Sequence, residues 1–277
     1  MGLVPTALAL LPLAGLVIVI RRLPALGLPE LPRLRLLALF GGASLFFITF
    51  IFPIQFSREW ITIGWALEGA ALVWLFRRVA HPGLLWVAAG LFFVSFARLA
   101  LNKAVLGYHP RTDASILNWY LYTYGITAAA IFSGAILWSK EKGKIFGWNV
   151  APIFYTFGAV LVFLLLNIEI ANYFSEGSSL TFSFSGNLAQ DMAYSIGWGI
   201  FALAILILGF RFGSKAARYT GLGLLVVTIL KLFLHDLFRL GGLYRIGSLI
   251  GLAVVLILVS FIYQKFLSRI GQAPEKK

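Results

Sequence analysis

From Leu3 onward the chain is dominated by apolar runs close to 20 residues long, joined by short polar loops. Wound as an α-helix, a run of that length rises about 30 Å, the thickness of a bilayer's hydrocarbon core. This one feature narrows the fold to a polytopic bundle of membrane helices. Composition agrees: charged residues make up 12% of the 277, about half the roughly 25% of a soluble domain. No polar segment is long enough to fold alone, so no soluble domain is expected. With no cysteine in the sequence, disulfides, thiol nucleophiles and thiolate metal sites are excluded.

Nine helices are read, at about 2–20, 35–56, 60–76, 83–103, 116–138, 148–174, 188–210, 216–238 and 243–266. Trp60, Trp86, Trp119, Trp138, Trp148 and Trp198 fall near the ends of these runs, where interfacial aromatics are expected. The net charge of +13 suggests nucleic acid until its distribution is followed. Sixteen Lys and Arg lie in loops of one side, among them Arg77, Arg78, Lys140, Lys142, Lys144, Arg211, Lys215 and Arg218. The other side holds five: Arg58, Lys103, Arg111, Arg239 and Arg245. Such asymmetry sets orientation rather than forming a nucleic-acid groove, and it puts the N-terminus outside and the C-terminus in the cytoplasm. The opening segment makes a poor signal peptide, because its arginines follow the apolar run instead of preceding it.

Residues 63–103 recur at 196–236 with a constant offset of 133, and 11 of 41 positions are identical. Roughly four identities are expected from so apolar a composition. Ile63-Gly64-Trp65 answers Ile196-Gly197-Trp198, Arg78 answers Arg211, and Arg98 answers Lys231. Phe40-Gly41 can be laid on Phe157-Gly158, which extends the unit to four helices. The expected architecture is therefore all-α: an additional N-terminal helix and basic loop (1–34), repeat one (35–147, helices 2–5) and repeat two (148–277, helices 6–9). An even number of helices per unit makes the repeats parallel. Repeat two carries a longer outer loop, Ser175 to Gly186, in which Thr181 to Ser185 alternates polar and aromatic residues as a strand does. That segment is a candidate lid, or simply a loop.

Seven charged or titratable residues fall within or beside the spans: Glu68, Arg98, Glu169, Asp191, Lys231, His235 and Asp236. Each costs about 2.5–3.5 kcal/mol at mid-bilayer, so such groups face protein or water and usually pair. The topology puts all seven in the outer half, with Glu68 roughly 12 Å and Arg98 roughly 8 Å below the outer surface. Glu68 with Arg98, and Lys231 with Glu169, are the expected pairs. Two readings stand: ion pairs that lock helices together, or an outward-facing polar pocket for a ligand, an ion or a lipid head group. No nucleophile or acid–base pair is identifiable, so no catalytic residue is assigned. His81, His109 and His235 are too dispersed for a metal site, and no cofactor is expected.

Several stretches have a family likeness: Trp65-Ala66-Leu67-Glu68-Gly69, Leu166-Asn167-Ile168-Glu169-Ile170, Ser195-Ile196-Gly197-Trp198, Lys231 through Leu237, and Gly242 through Ser248. They resemble the predicted bacterial membrane proteins of domain-of-unknown-function family 2339. The resemblance covers helices 2–9, is most specific in the last third, and matches the C-terminal portion of longer members. It implies a bacterial inner-membrane address and membrane lipids as partners. It supplies no catalytic residues. Three functions remain in view: binding or transport of a lipid-linked or envelope small molecule, an accessory or scaffold subunit among other membrane proteins, and a membrane-embedded enzyme. Nucleic acid is not an expected partner.

Overall fold

The computed structural model describes residues 3–22, 35–44, 46–47, 58–78, 80–111, 117–141, 145–177, 179–182, 188–232, 246, 250–251, 253–261 and 263–264. They form helices α1 (Leu3–Arg22), α2 (35–44), α3 (Arg58–Phe76), α4 (Pro82–Leu101), α5 (Trp119–Glu141), α6 (Ala151–Phe174), α7 (Leu188–Arg211), α8 (Lys215–Lys231) and α9 (253–261). Among the described residues there is no strand. Thr181 and Phe182 are not in one, and the rest of that alternating stretch lies outside the described residues. Among the described residues four helices are long and apolar enough to cross a membrane: Pro82–Leu101, Trp119–Ser139, Ala151–Phe174 and Leu188–Arg211. Shorter apolar helices run over Leu10–Arg21 and Trp60–Phe76. The chain divides into two compact units, Met1–Leu180 and Thr181–Lys277.

In the first unit α3 and α4 form a tight hairpin. The turn is closed by Arg77 N donating to Trp74 O and Arg78 N to Leu75 O. Pro82 begins α4, where its missing N–H costs nothing. His81 caps the helix by accepting from Gly83 N on Nδ1 at 3.2 Å. The core is organised around Phe92, which is wholly buried. Its ring fills the space left by two glycines, Gly69 of α3 and Gly134 of α5. It also meets the Phe154 ring of α6 edge-on at 5.1 Å. Gly158 of α6 likewise makes room for the Phe132 ring of α5, and Phe96 stacks on Phe157 at 4.1 Å. Small residues opposite large rings let helices approach closely where apolar burial alone gives no drive to associate. Trp119 and Trp138 belong to this core, which differs from the interfacial place their sequence positions suggest. Trp86 and Trp148 are exposed.

A two-residue turn lies in the connection between α5 and α6. Ile145 and Trp148 exchange both backbone hydrogen bonds, at 3.0 and 2.9 Å. Phe146 at φ 50° and Gly147 at φ 79° both occupy the left-handed region. This is the type I′ geometry that ordinarily selects Asn-Gly. Phenylalanine there costs roughly 1–2 kcal/mol of backbone strain.

The second unit holds a hairpin of its own, made of α7 and α8. α8 begins at Lys215, and α4 at Pro82, so the helix starts keep the offset of 133 seen in the sequence. The caps correspond as well: Ser214 occupies the place of His81 and accepts from Ala217 N at 3.3 Å. The turn between α7 and α8 uses Gly213 at φ 66°. Close approach is reached from the other helix. Gly221 of α8 lies against the backbone of Ala202 and Leu206 in α7, whereas in the first hairpin the glycine is Gly69 on α3. Val255 and Val259 of α9 pack on this core of Ala202, Leu206 and Leu225.

Candidate functional site

Polar side chains in the first unit gather where α4 ends, α5 begins and α6 ends. An α-helix leaves its last carbonyls without intrahelical donors, and α5 supplies them for α4. Tyr124 donates its hydroxyl to Leu99 O at 3.0 Å, and one turn earlier Tyr120 donates to Leu106 O at 3.3 Å. Leu106 lies in the 3-10 turn Lys103–Gly107 that follows α4, itself capped by Asn102 through Ala104 N. These bonds fix the chain that leads into Tyr108, His109 and Arg111.

Arg98 sits in the last turn of α4, half-buried. Its Nη2 donates to the Tyr108 hydroxyl at 3.3 Å. Its guanidinium lies 5.7 Å from the Trp65 ring and 5.8 Å from the Tyr108 ring. Cation–π contacts of this kind contribute roughly 0.5–2 kcal/mol, more as water is excluded. Glu68 is buried on α3 at 5% exposure, one turn beyond Trp65.

Glu169 stands on the last turns of α6, half-buried. Its Oε2 accepts from Asn118 Nδ2 at 2.9 Å. Asn118 is also the cap of α5, with Oδ1 accepting from Leu121 N at 3.0 Å. Both ends of its amide are used, which fixes its orientation. The second carboxylate oxygen, Oε1, is buried and has no hydrogen-bond partner among the described residues. Three residues on along the same face, buried Asn172 accepts from Arg111 Nε at 3.2 Å, and Arg111 Nη1 donates to Gly177 O at 3.0 Å. Glu169 is thus held by one amide, and one turn further along α6 a second amide is tied to Arg111.

In the second unit Lys231, at the C-terminal end of α8, reaches across to the first turn of α7. Its Nζ donates to Ser195 Oγ at 2.7 Å and to the Asp191 carbonyl at 3.1 Å. Asp191 and Ser195 are both buried. An acidic residue in the first turn of a helix is favoured by the positive end of the helix dipole. Residue 195 is the repeat equivalent of Thr62, whose carbonyl accepts from Ser95 Oγ at 3.5 Å. The same hairpin position thus joins its two helices in both copies, by different donors.

Of the residues singled out in the sequence, Asp191 and Lys231 meet directly. Glu169 takes its described partner from Asn118, and Arg98 takes its own from Tyr108 and Trp65. His235 and Asp236 lie outside the described residues. Among the described residues no group of three or more His, Asp or Glu is placed to hold a metal. Sequence reasoning missed Asn118, Arg111, Asn172 and Ser195. Asn118 carries a readable signal, an Asn immediately before an apolar helical run. Arg111 is read from sequence only as a loop charge.

The family model described as predicted membrane protein (DUF2339) matches residues 92–266. The chain belongs to the DUF2339 family. The matched span takes in α5 to α8 and the second half of α4, and with them Arg98, Asn118, Glu169, Asp191 and Lys231. No curated protein and no solved structure matches the chain.

Proposed function

We propose that this DUF2339 protein binds or transports a lipid-linked or envelope-derived small molecule at a polar site opening to the outside of a bacterial inner membrane. In this reading nine helices span the bilayer, and two parallel four-helix repeats follow an additional N-terminal helix. The basic residues, sixteen against five, support an outside N-terminus and a cytoplasmic C-terminus. The corner around Glu169 then lies on the outer side, as do Lys231, Asp191, His235 and Asp236.

The observation that carries the reading is the Glu169 carboxylate. One oxygen is held by Asn118; the other is buried and takes no donor from the described residues. A buried acceptor left in this state calls for a partner. A hydroxyl or an ammonium group of a ligand fits it, and the adjoining Asn118 and Arg111 supply further polar contacts.

The test is native mass spectrometry of protein purified from bacterial membranes. A bound envelope molecule is expected on the native chain and absent from Glu169→Gln, with the melting temperature held within a few degrees. Retention of the same bound mass by Glu169→Gln removes the reading. A second reading, an accessory subunit of a membrane complex, draws on the apolar side chains that α1 and α8 expose, such as Leu11, Ile18, Val226 and Leu230. Cross-linking in intact membranes that yields one stoichiometric neighbour would favour it.

A further inference from the structure

The turn between α5 and α6 spends backbone strain on a side chain that the core does not use. Phe146 takes φ 50°, a conformation that glycine or asparagine adopts more cheaply. Yet Phe146 is 83% exposed and Trp148 is 77% exposed. The described contact of the Phe146 ring is with Trp86, edge-on at 4.5 Å, and Trp86 is itself exposed. Three large aromatic side chains thus stand at one end of the first unit, Phe146 and Trp148 with most of their surface uncovered and Trp86 partly so.

The charges at that end are mainly basic. Arg77 and Arg78, in the turn that precedes α4, are exposed. The sequence places Lys140, Lys142 and Lys144 shortly before the aromatic turn, with Glu141 the one acidic residue among them. The second unit carries the same combination by itself. At the repeat equivalents of Arg78 and Trp86 stand Arg211 and Tyr219, both exposed, with Phe212 exposed beside them.

Aromatic rings are at home at the boundary between head groups and acyl chains, and basic side chains favour anionic lipid there. We propose that Phe146, Trp148 and Trp86, with Arg77 and Arg78, form a docking surface for anionic phospholipid head groups. The strained turn serves to hold two rings outward on a rigid two-residue tip. Burial of those rings in the interface offsets the strain, and the arginines choose the lipid by charge.

The full chain, purified and reconstituted in phosphatidylcholine vesicles with and without phosphatidylglycerol, provides the test. Bromine on the acyl chains of one lipid or the other quenches tryptophans that touch it. The contribution of Trp148 is the difference between the native protein and Trp148→Phe. It should be quenched by both brominated lipids, and more strongly when phosphatidylglycerol carries the bromine. Replacing Arg77 and Arg78 together with Gln should remove that excess, because each basic side chain near the surface favours anionic lipid roughly fivefold. A Trp148 signal untouched by either brominated lipid overturns the proposal and places the turn in water or against protein. Equal quenching by the two lipids, unchanged in the Arg77→Gln/Arg78→Gln protein, overturns the charge preference and with it the proposal.

Discussion

Asn118 and Glu169 stand 51 residues apart in sequence and share a hydrogen bond of 2.9 Å at the junction of α5 and α6. The same asparagine caps α5, so one side chain both starts a helix and aims a carboxylate. Asn118→Ala removes both functions. It should destabilise the protein by roughly 2–4 kcal/mol, the sum of a lost cap and a stranded buried acceptor. Denaturant titration in detergent micelles measures it. A loss no larger than that of a surface substitution would show that Glu169 finds another donor.

The glycines around Phe92 make a second expectation. A Cβ at Gly134 or Gly69 would collide with the Phe92 ring, which is fully buried and has no room to retreat. Gly134→Ala and Gly69→Ala should each cost about 1–3 kcal/mol as overpacking. Gly90, on the same helix as Phe92, meets nothing within 4 Å. Gly90→Ala should therefore be neutral or raise stability by up to about 1 kcal/mol, the helix-propensity difference. Melting temperatures of the three variants, compared side by side, separate packing from propensity.

Lys231 and Ser195 join α8 to α7 by a bond of 2.7 Å. Lys231→Met keeps the length of the side chain and deletes its donors. Together with Ser195→Ala it closes a double-mutant cycle. The coupling should fall near 0.6–1.7 kcal/mol, the range found for polar pairs between membrane helices. Additive effects would mean that the bond contributes nothing to the hairpin.

A chain without cysteine lends itself to mapping orientation by single cysteines. Lys103→Cys should react with a membrane-impermeant maleimide in intact cells. Arg78→Cys and Lys215→Cys should react only after the inner membrane is opened. Labelling in the reverse pattern would invert the orientation and move the Glu169 corner to the cytoplasmic side.

Most of the helix positions are legible in the sequence, because hydropathy and length are properties of a single segment. The expected 188–210 is observed as Leu188–Arg211, and the expected 148–174 as Ala151–Phe174. The starts of α4 and α8 lie 133 residues apart, the offset of the sequence match. The site is legible in part. Charges in apolar runs identify Glu169, Arg98 and Lys231 as costly groups that need partners, but cost alone does not name the partner. Two aromatic rings and a tyrosine hydroxyl are among the groups that meet Arg98, and none of them stands out in the sequence as its partner.

What the sequence determined by itself is the membrane class and most of the helical segments, both consequences of local hydropathy and spacing. Tertiary structure decided which side chain satisfies which. Glu169 is met by an asparagine that its own helix does not contain, and Phe92 by glycines on two other helices. Helix packing angle and rotation fix such pairings, and those depend on the fit of whole surfaces rather than on any one stretch of chain.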